Sequence, residues 1–367
     1  FGVSSARSGL VITAFATPGA VLARVVGMYA DRFGGRRVVV PCLLIYGGAG
    51  LAVTLATDLW QVLALRAVQG SVGGSILASL TLALVGDYYE GPQRNAVMGV
   101  VSAGISFSAA AGPVLGGVLA ARSWDAPFYL YGSSVVVAAL AYRYLDPPAV
   151  ESGDGESGGR HGGSYVRAAV ASLPAREALA VYGATLVGFT FFFGGVLTAV
   201  PFLLEGTYGL ASGRVGALVT AAMMVAAVVA VFNGRFARYL SNLGLVTVAF
   251  GFYAAGLGGV WAAESATAVL LALGVFGIGH GLLLPSVASA LSELAGPEFR
   301  GGVMSLRTSV ILGAQAIGPP LFTLPVTELD VGYELPLALA GLGAILTAVG
   351  LFAAAGGRSG IGVAAAD

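Results

Sequence analysis

The sequence resembles itself when shifted by 206 residues. Gly91-Pro92-Gln93-Arg94-Asn95-Ala96-Val97-Met98 returns as Gly296-Pro297-Glu298-Phe299-Arg300-Gly301-Gly302-Val303-Met304. The same step carries Arg94 onto Arg300, Met98 onto Met304 and Gly112-Pro113 onto Gly318-Pro319. An upstream segment repeats at a step of 207, which takes Gly9, Thr13 and Ala14 onto Gly216, Thr220 and Ala221, and Gly27, Tyr29 and Ala30 onto Gly234, Phe236 and Ala237. A shared composition would scatter such matches. It would not hold Arg, Met and Gly-Pro in one register. The chain must fold as two copies of one plan.

Composition says what surrounds those copies. The chain is 57% hydrophobic and 10% charged, where a soluble domain carries about 25% charged residues. Its surface must face lipid. Glycine supplies 57 of 367 residues, well above the average of about 7%, and small residues let membrane helices approach closely. In a membrane, two apolar halves on one plan are the layout of secondary transporters. Every basic residue is arginine. The absence of lysine excludes a P-loop and a lysine Schiff base. One cysteine, Cys42, and two histidines, His161 and His280, leave no disulfide and no Cys/His metal cluster. No metal, cofactor or nucleic-acid partner is expected.

Eleven apolar stretches are long enough to cross a hydrocarbon core of about 30 Å: 8–29, 38–57, 61–86, 95–121, 127–145, 178–204, 214–233, 243–263, 266–293, 303–326 and 335–355. A polar break at 146–176 contains Asp146-Pro147-Pro148 and the run Glu151–Gly159, the composition of a flexible linker. The repeat places the partner of 178–204 before residue 1. The expectation is therefore an all-α membrane fold of two six-helix bundles, with the first helix missing from this chain. Helices 2–6 occupy 1–145, a cytoplasmic linker spans 146–176, and helices 7–12 with a short tail fill 177–367.

Arginine sets the orientation. Arg32, Arg36, Arg37, Arg94, Arg143, Arg160, Arg167, Arg176, Arg235, Arg238, Arg300 and Arg358 fall on the linker side, against Arg7, Arg122 and Arg214 on the other. That bias puts the linker and C-terminus in the cytoplasm. Arg24, Arg66 and Arg307 remain inside spans.

Three motifs carry chemistry. Gly27-Met28-Tyr29-Ala30-Asp31-Arg32-Phe33-Gly34-Gly35-Arg36-Arg37 reads as a tight charged turn, with Asp31 able to pair with a nearby arginine or a helix N-terminus. It resembles the signature loop of the major facilitator superfamily, G-x-L-A-D-R-x-G-R-R, with Tyr29 in place of Leu and one extra glycine. Either Arg36 or Arg37 takes the family's position. Leu65-Arg66-Ala67-Val68-Gln69-Gly70 places an arginine within a span, which costs at least about 2.5–3.5 kcal/mol and demands a partner or a wet cavity. The R-x-x-Q-G spacing is similar to the superfamily motif tied to proton transfer. Gly99, Ser108, Gly112-Pro113 and Gly116-Gly117 resemble the antiporter motif of the drug:proton antiporter families, with Ser108 replacing one glycine. Gly104, Ser108, Gly112 and Gly116 recur every four residues as a stripe suited to close helix packing, and Pro113 removes a backbone hydrogen bond and kinks the helix.

The second half is plainer. His280 lies mid-span between glycines and belongs to the residue type that titrates near neutrality. Gln315, Asn233 and Phe191-Phe192-Phe193 are further cavity candidates, and Arg307 is expected to snorkel to the cytoplasm. No acid sits in the middle of a span. Proton coupling is thus implied by the resemblance alone. The resemblance implies a monomeric, multi-pass plasma-membrane carrier that exports a small amphipathic molecule in exchange for protons. Its gate would be Asp31, Arg32, Arg36, Arg94 and Arg300. Arg66, Gln69, His280 and Gln315 would line its path, and Gly112, Pro113, Gly116, Gly318 and Pro319 would form paired hinges. A symporter or uniporter for sugars or organic anions is the alternative within transport. A polytopic membrane enzyme or sensor is the alternative outside it, and it lacks the clustered polar residues an enzyme needs.

Overall fold

The computed structural model describes residues 4–33, 35–73, 77, 80–81, 84–85, 88–89, 91–145, 173–296 and 299–356. Among these residues the elements are helical, with no strand. We number them α1 (Ser5–Phe33), α2 (Gly35–Ala52), α3 (Leu59–Val72), α4 (Gly91–Ala120) and α5 (Gly132–Tyr144) in the first half. The second half holds α6 (Ala175–Gly206), α7 (Ser212–Phe236), α8 (Asn242–Trp261), α9 (Ala266–Leu294), α10 (Arg300–Leu329) and α11 (Glu334–Gly356). Seven described segments are both long and apolar enough to cross a membrane, the second-half helices and one running from Arg37 to Leu55. The protein is a multi-pass membrane protein.

Local chemistry fixes the helix ends. Asp58 accepts from the Gln61 amide (2.9 Å) at the start of α3. Ser241 and Ser265 do the same for α8 and α9, at 3.1 and 3.2 Å. Each cap satisfies an amide left open by the first turn. The core of the second half gathers Phe250, Tyr253, Leu257, Leu273, Phe276, Leu283 and Leu291, all at 0% exposure.

Three expected spans are interrupted. The stretch 61–86 breaks at Gly73, whose backbone is extended (φ −93°, ψ −166°) and against which the Tyr46 ring is pressed. The span 127–145 begins with a 3₁₀ segment, Ala126–Tyr131, ahead of α5. Within α6 the turns Phe191–Ala199 widen to a π-helix, and the Thr198 hydroxyl donates to the Phe193 carbonyl five residues back (2.7 Å). Such widened turns are rare and concentrate at functional sites.

The chain alternates direction, so the ends of α5 and α6 nearest 146–172 define a linker end, and Ser5 and Ser212 begin at the far end. Helix α2 packs on α1, α3 and α5; α8 packs on α9 and α11, and α7 on α9. Among the described residues two main seams join the halves, α1 against α10 and α4 against α7.

Candidate functional site

The Arg66 motif folds into a tied crossing of α1, α2 and α3. Gly70 meets the Phe15 backbone carbonyl with no room for a side chain, and a Cβ on Gly19 would come within 2.9 Å of the Gly70 carbonyl. Glycine at both positions lets α1 and α3 touch. Gln69 is wholly buried. Its Nε2 donates to the Tyr46 carbonyl (3.2 Å), and its Oε1 accepts from Arg66 Nη1 (2.8 Å). The same Nη1 donates to the Tyr131 hydroxyl (3.0 Å). The guanidinium carbon lies 5.0 Å from the Phe15 ring centre, 5.7 Å from Phe128 and 5.9 Å from Tyr131. Ring faces attract a cation by their quadrupole. Tyr46 stands edge-on to both Phe15 and Tyr131 and closes the cluster (6.4 and 5.3 Å). Arg66 is half-buried, its Nε is buried without a partner, and no described carboxylate contacts it.

His280 occupies the interior of the second half. It is 9% exposed, stacks on Phe192 (4.3 Å, 18°) and lies edge-on to Phe189 (5.8 Å). Its Nδ1 shares a 2.7 Å hydrogen bond with the Tyr253 hydroxyl, and Tyr253 stacks on Phe276 (4.1 Å). The Phe run thus packs inward: Phe192 covers His280, and Phe191 lies edge-on to Phe322 of α10 (6.4 Å). Asn233 and Ser286 pair across α7 and α9 at 3.3 Å. Tyr253→Phe leaves His280 Nδ1 unpaired in a dry core and is expected to lower stability by about 1–3 kcal/mol. Thermal unfolding in detergent checks this, and an unchanged midpoint would show that the pair contributes nothing.

The seams that join the halves are made by repeat-equivalent residues. On α1–α10, Gly9 packs on Pro319 and Thr323, where a Cβ would sit 3.4 Å from each. On α4–α7, Gly216, the repeat mate of Gly9, meets the carbonyl of Pro113, the mate of Pro319. Gly117 faces the Ser212 carbonyl 2.7 Å from its missing Cβ. The seams differ in polar ties. Thr13 donates to the Ala316 carbonyl across α1–α10 (2.8 Å), while its mate Thr220 has a buried hydroxyl with no partner. All these contacts lie toward the far end. Gly234 is about five turns beyond Gly216 on the same face of α7, and it has open space around it, as does Gly99 on α4. The α4–α7 seam is shut at the far end and open at the linker end.

The small-residue stripe of α4 differs from its expected packing role. Gly104, Gly112 and Gly116 have nothing within 4 Å of a would-be Cβ, and the adjacent face with Pro113 and Gly117 meets α7 instead. A period of four drifts around a helix of 3.6 residues per turn, so the stripe leaves the seam. Gly318 is buried against Gly194 in the π-helical turns, where a Cβ on Gly318 would lie 2.9 Å from the Gly194 amide nitrogen.

Gln315 is half-buried on α10. The side chains of Asp31, Arg32, Arg36, Arg94 and Arg300 lie outside the described residues. Their backbones are helical, Asp31 and Arg32 closing α1, Arg36 opening α2, and Arg94 and Arg300 opening α4 and α10, all at the linker end. Arg307 is half-buried, with its Nε buried and without a partner. The residues missed from sequence are Phe15, Tyr46, Phe128, Tyr131 and Tyr253. The one available signal was the need of an intramembrane arginine for aromatic or polar company.

The sequence pattern of the Major Facilitator Superfamily matches residues 1–319. The bacillibactin exporter of Bacillus subtilis is 24% identical over 337 residues, 87% of this chain and 81% of the exporter. Multidrug resistance protein 1 of the same species is 24% identical over 337 residues, 90% of this chain and 83% of its own. Among solved structures, the nucleoside transporter NupG superposes with a TM-score of 0.75 at 11% identity, over 96% of this chain and 91% of NupG, which shows a shared fold. A signature loop, two repeat-related seams and a match across most of the chain agree: this protein belongs to the Major Facilitator Superfamily and is a membrane transporter, not an enzyme.

Proposed function

We propose that the protein exports a small amphipathic molecule across the plasma membrane by alternating access, in exchange for protons. The observation that carries this reading is the α4–α7 seam, shut at the far end and open at the linker end. The arginine bias puts the linker end in the cytoplasm. This is then the cytoplasm-open state, in which an exporter loads and through which every alternating-access carrier passes. The two seams share one register, so the bundles 1–145 and 177–367 can rock about the far end. Gly112-Pro113 with Gly116 and Gly318-Pro319 are the hinges. Asp31, Arg32, Arg36, Arg94 and Arg300 gather at the linker end as the gate that closes in the opposite state. Arg66, Gln69, His280 and Gln315 line or support the path of cargo and proton. The chain works as a monomer. The exporter names of the relatives and the α4 motif support the direction and the proton.

The test is transport in proteoliposomes with an imposed pH gradient. Efflux from the linker side is expected to rise several-fold when the far side is made acidic. Efflux that ignores the gradient, with substrate still moving, would remove the proton from the mechanism.

A further inference from the structure

We infer that the exported molecule is an anion, and that Arg66 receives its carboxylate or phenolate inside the first bundle. This rests on the export reading for direction, but its chemistry comes from the site. Among described side chains more than a turn from a helix end, the charged ones are Arg66 and Arg307. Neither makes an ion pair with a described residue, and each has a buried Nε with no partner. A cationic cargo would meet two guanidiniums and no described carboxylate at that depth.

The geometry at Arg66 is more specific than its charge. Both hydrogen bonds leave from Nη1, and both acceptors, Gln69 Oε1 and the Tyr131 hydroxyl, are neutral. The rings of Phe15, Phe128 and Tyr131 surround the guanidinium carbon at 5.0–5.9 Å. Neither bond uses the edge bearing Nε and Nη2, and Nε is buried without a partner. That edge is the fork on which a carboxylate makes two parallel N–H···O bonds. An intramembrane arginine without a counter-ion is costly, and a bound anion offsets that cost. The surrounding aromatic rings suit an amphipathic anion with a flat apolar body. Gln69, wholly buried and tied to the Tyr46 carbonyl, holds Nη1 so that the free edge keeps its aim.

The experiment uses two dyes that share a xanthene ring system and differ in charge: fluorescein, a dianion at mildly alkaline pH, and rhodamine 6G, a cation. Binding to the purified full chain in neutral detergent is followed by fluorescence anisotropy. Fluorescein is expected to bind at least about tenfold more tightly than rhodamine 6G, the scale of a charge-assisted hydrogen bond. Arg66→Gln should erase that preference, and Arg66→Lys, which keeps the charge and loses the fork, should retain part of it. Failure of fluorescein to bind, equal or tighter binding of rhodamine 6G, or an unchanged fluorescein affinity in a folded Arg66→Gln protein overturns the inference. The wild-type comparison stands even where a variant misfolds. Equilibrium binding needs no pH gradient, so a failed proton exchange and a failed anion site give different results.

Discussion

Transport is expected to fall by about two orders of magnitude when Arg66 becomes alanine, with the protein still folded. Three sources of loss coincide. The truncation removes the only described charge of the first bundle that lies deep in a span. It frees Gln69 Oε1 and the Tyr131 hydroxyl, which both accept from Nη1. It also empties the space between Phe15 and Phe128 that the guanidinium occupies. The polar part of that loss costs about 1–3 kcal/mol for the wholly buried Gln69, and less for the half-buried Tyr131. Some thermal destabilisation should therefore accompany the loss of function. Comparing turnover with the melting midpoint separates the two. A folded Arg66→Ala protein that transports at the normal rate would leave Arg66 as a structural tie alone.

A second large effect is expected at Gly216. Its missing side chain points at the Pro113 carbonyl, which leaves no space for a Cβ. Gly216→Leu should wedge α4 and α7 apart at the far end, shift the population toward a far-open state, and cut transport at least about tenfold. Overpacking in a tight contact costs about 1–3 kcal/mol, which is enough to reverse a balanced equilibrium. Accessibility reads the shift. With Cys42 replaced by serine, a cysteine at Thr220, 8% exposed and one turn below Gly216, should react several-fold faster with an impermeant maleimide from the far side. Normal turnover together with unchanged labelling would mean that the seam is not a gate.

The architecture was legible because it is written twice. The 206- and 207-residue steps that relate Pro113 to Pro319 and Gly9 to Gly216 are the steps that relate the two seams in space. The signature at Gly27–Arg37 located the family, and the Arg66–Gly70 spacing singled out the arginine that gathers Gln69 and the aromatic rings around it. What escaped was contact made across long separations. Nothing in the local pattern pairs Arg66 with Phe15 or Tyr131, because an aromatic in a membrane helix faces lipid, neighbour or ligand with the same sequence signal. The wide turns of α6 escaped for another reason. Phe191-Phe192-Phe193-Gly194-Gly195 carries no local signal for the wide turns, and the close approach of Gly194 to Gly318 that accompanies them is a long-range contact. The stripe on α4 was a correct pattern given the wrong face, since spacing alone cannot say which side of a helix meets protein.

The unequal threonines set an order of events. Thr13 binds the Ala316 carbonyl, and Thr220 binds nothing. A net hydrogen bond of about 1 kcal/mol makes one side of the far face several times more reluctant to part than the other. The face should therefore swing like a door, pinned along α1 and α10, with α4 and α7 as its free edge. That edge would open first, although the two halves are copies of each other.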